Sequence, residues 1–322
     1  MTGVNSIGEP GMHNVGGVMR EMPVGRIDGA SATSPLATTA PVSPRRSAAV
    51  AVVRPIVALR KGMIAVSTDS VATEQPLTLF INDRELLTIL CSPGEVEELA
   101  LGYLFSEGLV HTTADILNMV PDTARGQVFI RLRDSVTFDW ESFNRQRTIS
   151  SGCARGLTLT RRLEETGIAS VRARFDIGFD DLTALMSRFL QISEHHHQTG
   201  CIHVAALADA SSIKIFREDI GRHNAIDKVI GAAMAQHSPI ERCALLVSGR
   251  ISSEMMLKAA RIGIPLVATR AAATDTAIRI ADRLGVTLAG FVRAHRVNLY
   301  SHPWRITETR SMTGSITGGH DE

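Results

Sequence analysis

Cys153 sits in the string Ser150-Ser151-Gly152-Cys153-Ala154-Arg155-Gly156, with Arg145, Arg147 and Arg155 within eight residues of it. Nearby cations favour thiolate over thiol, and a Ser/Gly-containing loop gives access. Those are the two requirements of a nucleophilic cysteine. An inert loop thiol is the competing reading. Cys243, in Cys243-Ala244-Leu245-Leu246-Val247, and Cys91, at the end of an apolar run, read as packing residues. Cys201, in Thr199-Gly200-Cys201-Ile202-His203, stays open.

Three basic turns could bind an anion. The first, in Arg217-Glu218-Asp219-Ile220-Gly221-Arg222-His223-Asn224-Ala225-Ile226-Asp227-Lys228, leaves a strand and enters a helix, with seven ionisable side chains in twelve residues. Helix N-termini at strand ends present backbone N–H groups to ligands, so Arg222 and His223 could hold an anion there, with Asp219 orienting the imidazole. A charged turn with an Asp cap and surface ion pairs accounts for the string equally. The second turn is Ser248-Gly249-Arg250-Ile251-Ser252-Ser253-Glu254, where Gly249 and Arg250 could cradle phosphate oxygens. Plain Ser capping of the helix is the simpler account, and no Walker loop is present. In the third, Phe291-Val292-Arg293-Ala294-His295-Arg296, two guanidiniums bracket His295 and suit pyrophosphate or a guanine edge. All three fall at strand C-termini of one expected sheet, so they should converge on one crevice that takes a phosphate-rich ligand.

His195-His196-His197 with Cys201 and His203 suggests a metal site, but adjacent histidines at a helix end cannot all face one ion. No intrinsic metal is expected. The 322-residue chain carries 34 Lys+Arg against 33 Asp+Glu, a formal charge of +1, which removes the general electrostatic case for nucleic acid. No apolar run approaches the ~18 residues of a membrane span. Scattered cysteines and the lack of a charged-then-apolar start point to reduced thiols and a cytoplasmic setting.

These residues need elements to position them. Residues 1–56 hold half of the 12 prolines and precede the first aromatic, Phe80, so they read as a flexible tail. Residues 57–147 read as a small α+β domain. Runs 77–81 and 86–90 flank a turn, Ser92-Pro93-Gly94-Glu95 has capping-box spacing, and 127–133 alternates as a half-buried strand. Residues 148–179 form a linker carrying Cys153. From 180 to 306 strands and helices alternate: strands at 203–208, 213–216, 243–247, 265–268 and 286–292, with helices between them. That pattern predicts a largely parallel three-layer α/β domain. Residues 307–322 read as a frayed tail.

Residues 60 to 305 resemble the FdhD/NarQ family of formate dehydrogenase accessory sulfurtransferases. The resemblance rests on the long string from Phe216 to Lys228. It is supported by Thr199 to His203, by Ser248 to Glu254 with Lys258, and by Leu288 to Arg293. It implies a cytidine-deaminase-like α/β domain and a homodimer. It implies that a cysteine desulfurase loads a persulfide onto Cys153. The sulfur then passes to the molybdenum or tungsten of a bis-molybdopterin guanine dinucleotide cofactor destined for formate dehydrogenase. Phe291, Val292, Arg293, Ala294, His295 and Arg296 match the family's guanine-dinucleotide segment. Arg222, His223 and Arg250 would complete the cradle. Many members carry Cys-x-x-Cys in the loop, whereas here the second position is Gly156. A disulfide within that motif is therefore impossible, and the sulfur either stays on Cys153 or passes through a neighbour such as Cys201. The rival readings are a cofactor chaperone without sulfur transfer and a zinc deaminase. The latter lacks its His-x-Glu and Pro-Cys-x-x-Cys signatures.

Overall fold

The computed structural model describes residues 49–137, 140–141, 147–149, 155–157 and 167–308, with 147–149 and 155–157 as backbone only. The chain begins with a ribbon of two ten-residue strands, β1 (Ala51–Arg60) and β2 (Met63–Ala72), closed by Lys61 and Gly62, both at positive φ. A two-residue turn of that kind matches strand twist. The tail expected over 1–56 therefore loses its last six residues to a strand. The run Ala51-Val52-Val53-Arg54-Pro55-Ile56 is rich enough in β-branched residues to form it without aromatics.

Next come β3 (Gln75–Ile81) and β4 (Arg84–Cys91), joined by Asn82 and Asp83, again both at positive φ. Helix α1 (Val96–Glu107) follows, then β5 (Ile116–Asp122) and β6 (Gln127–Leu132). These strands make a sheet of order β4-β3-β6-β5. The capping box expected at Ser92 to Glu95 does not form: α1 starts after Glu95, and no side chain caps it. Ser92 is committed elsewhere, as described below.

β7 (Arg147–Ile149) and β8 (Arg155–Leu157) pair antiparallel, and Gly156 lies on β8. Cys153, Arg145, residues 1–48 and residues 309–322 lie outside the described residues.

β9 (Ile177–Gly178), α2 (Phe179–Ile192) and the short α3 (Glu194–Thr199) lead into the larger sheet. Its elements are β10 (His203–Ala208), β11 (Ile213–Asp219), α4 (Arg222–Ala235), β12 (Ala244–Val247) and α5 (Ser253–Arg261). Then come β13 (Leu266–Thr269), α6 (Asp275–Arg283), β14 (Thr287–Arg293) and β15 (Arg296–Ser301). A last strand, β16 (Ile306–Thr307), pairs with β9. The strand order is β11-β10-β12-β13-β14-β15. Only β12/β13 and β13/β14 are parallel, so the expected largely parallel sheet is mixed. Two hairpins account for this. The β10–β11 connection is too short for a crossover, and β15, absent from the sequence reading, returns along β14.

Alternate residues of the sheet enter two apolar clusters. Val204, Ala206, Leu246 and Ala268 pack with Leu182, Leu185, Met186 and Phe189 of α2. Ala205, Leu207, Leu245 and Val267 face α4, α5 and α6. The same second cluster continues through α1 to Leu77, Leu79, Val128 and Ile130 of the smaller sheet. The layers thus run α2, large sheet, helices, small sheet. The regions 57–147 and 180–306, expected as separate domains, share one core.

At their crossing α1 and α4 meet backbone to backbone. A Cβ on Gly102 would lie 1.7 Å from the Asp227 carbonyl oxygen, and one on Gly231 1.9 Å from that of Glu98. Gly102→Ala should lower unfolding free energy by about 3 kcal/mol or more, at the upper end of overpacking costs, read as a drop in urea midpoint.

Candidate functional site

With β10 running opposite to its two neighbours, β11, β12, β13 and β14 all point the same way. Their C-terminal ends therefore share one sheet edge with the starts of β10 and β15. Asp219 ends β11, Ser248 follows β12, Thr269 ends β13 and Arg293 ends β14, while His203 opens β10.

Contacts confirm this gathering. A Cβ on Gly249 would sit 3.2 Å from His203 Nδ1 and 3.5 Å from Arg222 Cβ, so the turn admits no larger residue without a shift. Ser248 Oγ accepts from the Val204 N–H at 3.0 Å and lies 3.5 Å from His203 Nδ1. Thr269 Oγ1 donates to the Gly249 carbonyl at 2.6 Å and accepts from the Ala271 N–H at 3.0 Å. The Phe291 N–H in turn donates to the Ala271 carbonyl at 3.0 Å. A continuous run of hydrogen bonds so links the second and third basic turns.

At the third turn, Arg293 pairs with Arg296 across Ala294 and His295, and all four are exposed. Phe291 has φ +51, and its ring lies 5.2 Å from the Arg296 guanidinium carbon, within cation–π range. Val292 differs from its neighbours: it is buried in the core beside α2 and cannot touch a ligand with its side chain. The segment also does not close the sheet, since β15 follows it. Arg250 is exposed on the same edge.

The first turn corrects one expectation. Asp219 does not orient His223. Its fully buried carboxylate accepts from the Ser92 N–H at 3.0 Å, the Gly221 N–H at 2.8 Å and Asn224 Nδ2 at 2.9 Å, and pairs with Lys228 Nζ at 3.0 Å. Ser92 Oγ accepts from the Ile220 N–H at 3.0 Å. Asp219 is thus a clamp on the turn between β11 and α4. His223, in the first turn of α4, projects instead toward α5. Its Nε2 lies 3.2 Å from Glu254 Oε2 and 3.4 Å from Ser252 Oγ. Ser252 is the N-cap of α5 but makes no capping hydrogen bond, so plain capping does not account for it.

Arg222 presents a buried Nε with no hydrogen-bond partner among the described residues. A buried donor left over beside a basic turn is what an incoming anion would satisfy. His203, partly buried, is held below its ordinary pKa of 6.5 by desolvation and then by the Arg222 charge. Glu254 and Thr269, to which the sequence assigns no role, stand at this edge as well, together with His203 from beside the histidine cluster. The antiparallel register of β10 brings His203 to the site. A threonine closing the apolar run 265–268 was the available signal for Thr269.

The thiols divide by exposure. Burial pushes Cys91 up to about 12 and Cys243 up to about 11, so neither is a thiolate at neutral pH. Cys201 is exposed, two residues before His203. Of the histidine run, His195 Nδ1 lies 2.8 Å from Glu218 Oε2, and His196 Nδ1 contacts the Ile202 carbonyl. These rings brace α3 against β10 and β11.

Two measurements test this layout. Asp219→Ala leaves the buried Lys228 ammonium with only the more distant, part-exposed Glu95 carboxylate at 3.5 Å, and should cost about 3 kcal/mol of stability in urea titration. His203 should titrate by NMR below 6.5, and Arg222→Ala should raise its midpoint. Between its lowered value and 6.5 the unfolded chain binds the proton and the folded chain does not. His203 therefore takes stability away as pH falls through that window, with no further loss beneath it.

Among the described residues no helix is long and apolar enough to cross a membrane. The family model for the FdhD/NarQ family matches residues 72–307. Sulfur carrier protein FdhD of Bacillus subtilis is 36% identical over 259 residues, covering 80% of this chain and 98% of that protein. Its namesake in Listeria monocytogenes is 38% identical over 240 residues, covering 74% and 92%. A crystal structure of a putative formate dehydrogenase accessory protein from Desulfotalea psychrophila superposes with TM-score 0.67 at 26% identity, covering 80% of this chain and all of that one. With three quarters of its length matched by the family model and by relatives above 30% identity, the chain belongs to the FdhD/NarQ family.

Proposed function

We propose that the protein is a cytoplasmic sulfur carrier, a sulfurtransferase that matures the molybdenum cofactor of formate dehydrogenase. The observation that carries the reading is the basic sheet edge. Arg222, whose Nε has no partner among the described residues, meets Gly249, and hydrogen bonds through Thr269 and Ala271 connect the Gly249 turn to Phe291, on the strand that ends in Arg293 opposite Arg296. The names of its relatives support the sulfur chemistry. In this reading the Cys153 thiolate attacks the outer sulfur of a cysteine desulfurase persulfide. A new S–S bond forms on Cys153, the donor's S–S bond breaks, and the donor leaves as a thiolate. A second loop cysteine is not required for that exchange, which accommodates Gly156.

The receiving substrate is bis-molybdopterin guanine dinucleotide. Arg222, Arg250, Arg293 and Arg296 hold its phosphates and guanines by charge-assisted hydrogen bonds, with Phe291 and His295 beside them. Gly249 lets the backbone approach the phosphates closely. His223, whose Nε2 pairs with Glu254, is read as a proton carrier near the bound cofactor. The larger sheet, covered by α2 on one face and by α4 to α6 on the other, is read as the family's cytidine-deaminase-like layer. The working protein is read as a homodimer.

Incubation with a desulfurase and cysteine should add one sulfur to the Cys153 peptide by mass spectrometry. An unmodified peptide would instead favour a chaperone that holds the cofactor without carrying sulfur. Replacing Arg293 and Arg296 together with alanine should weaken co-purification of guanine dinucleotide by at least about tenfold, given about 1.5–3 kcal/mol for a hydrogen bond to a charged group. Equal retention would refute the binding assignment.

A further inference from the structure

The β1–β2 ribbon plays no part in the basic edge, and it is exposed in an unusual way. No third strand joins it among the described residues. Its base is anchored, with Val50 and Ala72 packed into the core beside α2, and α3 packs against β2. Toward the tip, Val57 is 71% exposed, Leu59 69%, Ile64 75% and Val66 84%. An isolated two-stranded ribbon is marginal in water, and these side chains gain little from their own pairing.

The two outer edges of the ribbon differ. The Thr73 N–H donates to the Val50 carbonyl at 2.8 Å, so that pair is hydrogen-bonded. Counting along the ladder in twos, the pairs Pro55–Thr68, Val57–Val66 and Leu59–Ile64 are the non-hydrogen-bonded ones, whose backbone groups point outward. On the β1 edge the middle outward position is Pro55, which has no N–H to offer. On the β2 edge the outward positions Ile64, Val66 and Thr68 keep theirs, with neither proline nor charge to guard them. Proteins usually guard such edges unless something pairs with them.

We infer that the outer edge of β2 pairs antiparallel with the β2 edge of a second copy, about a two-fold axis at Ala65. This names the interface of the dimer in the proposed function and rests on that dimeric reading. The register follows from sequence. Ile64 falls opposite Val66 of the other copy, and their outward N–H and C=O groups exchange hydrogen bonds. Each row then reads Leu59, Ile64, Val66, Val57 across four strands, giving every exposed apolar side chain a lateral neighbour. Lys61 in the turn falls opposite Asp69, the ribbon's acid, which faces Arg54 across its own ladder, and Arg60 falls opposite Ser70. The charges are complementary in this alignment, whereas centring on Thr68 would set Lys61 beyond the ribbon's paired residues.

The full-length protein tests this by sedimentation velocity at tens of micromolar. The parent should sediment as a dimer. Val66→Pro removes one outward donor, as Pro55 already does on β1, without touching the β1–β2 ladder, and should shift the protein to monomer. Ala65→Cys should form a disulfide joining residue 65 of both copies under mild oxidation, identified by peptide mass, because non-hydrogen-bonded antiparallel neighbours are close enough to bridge. If Val66→Pro fails to fold, the Ala65→Cys result decides. A dimeric parent with a dimeric Val66→Pro and no such disulfide overturns this interface alone. A monomeric parent overturns the dimeric reading with it. Sulfur loading of Cys153, measured on the same samples, reports separately on the carrier chemistry.

Discussion

The Asp219 carboxylate is the constraint on which the site depends. It is fully buried, and its charge is balanced by Lys228 and by N–H groups of Ser92, Gly221 and Asn224. Lys228 reaches further, to the Glu218 carbonyl at 3.1 Å. These bonds tie the residue after β4 to the turn between β11 and α4, more than a hundred residues further along the chain. Arg222 and His223 project from the turn so fixed. A buried pair of this kind adds little net stability over an apolar replacement, but half of it left alone is very costly. Its service is positional.

A second buried cluster repeats the logic one layer away. Lys258 of α5 lies 3.0 Å from Asp227 of α4 and 2.8 Å from Glu107 of α1, with Ser106 donating to Asp227 at 2.7 Å. Burial pushes Asp227 upward, and it is opposed by the Lys258 charge. Together the two clusters explain why the string from Arg217 to Lys228 is so rich in ionisable groups. Arg222 and His223 serve the edge, Arg217 pairs with Glu98, and Asp219, Asp227 and Lys228 hold the helices in place.

Element type was largely legible in the sequence. The strand expected at 77–81 alternates in burial as its sequence does, while the apolar runs at 203–208 and 265–268 become strands buried on both faces and the helix from 222 is buried almost all round. What escaped was pairing. Nothing local distinguishes a strand that returns from one that crosses over, so β15 and the reversal at β10 were missed. With β10 reversed, His203 arrives at the site. Local charge also misled at Asp219. Proximity in sequence suggested His223 as its partner, but side-chain direction sends one into the core and the other toward Glu254. Convergence of the basic turns was legible because strand direction alone dictates it. Cys153 is a reading of sequence only, since the described residues do not include it.

The glycine-to-glycine crossing of α1 and α4 has a temporal side. On a ribosome the small sheet and α1 emerge well before α4, whose backbone closes on that of α1 at the crossing. The face of α1 that α4 covers must therefore stay open until α4 follows. Completion of the shared core waits for the C-terminal half of the chain.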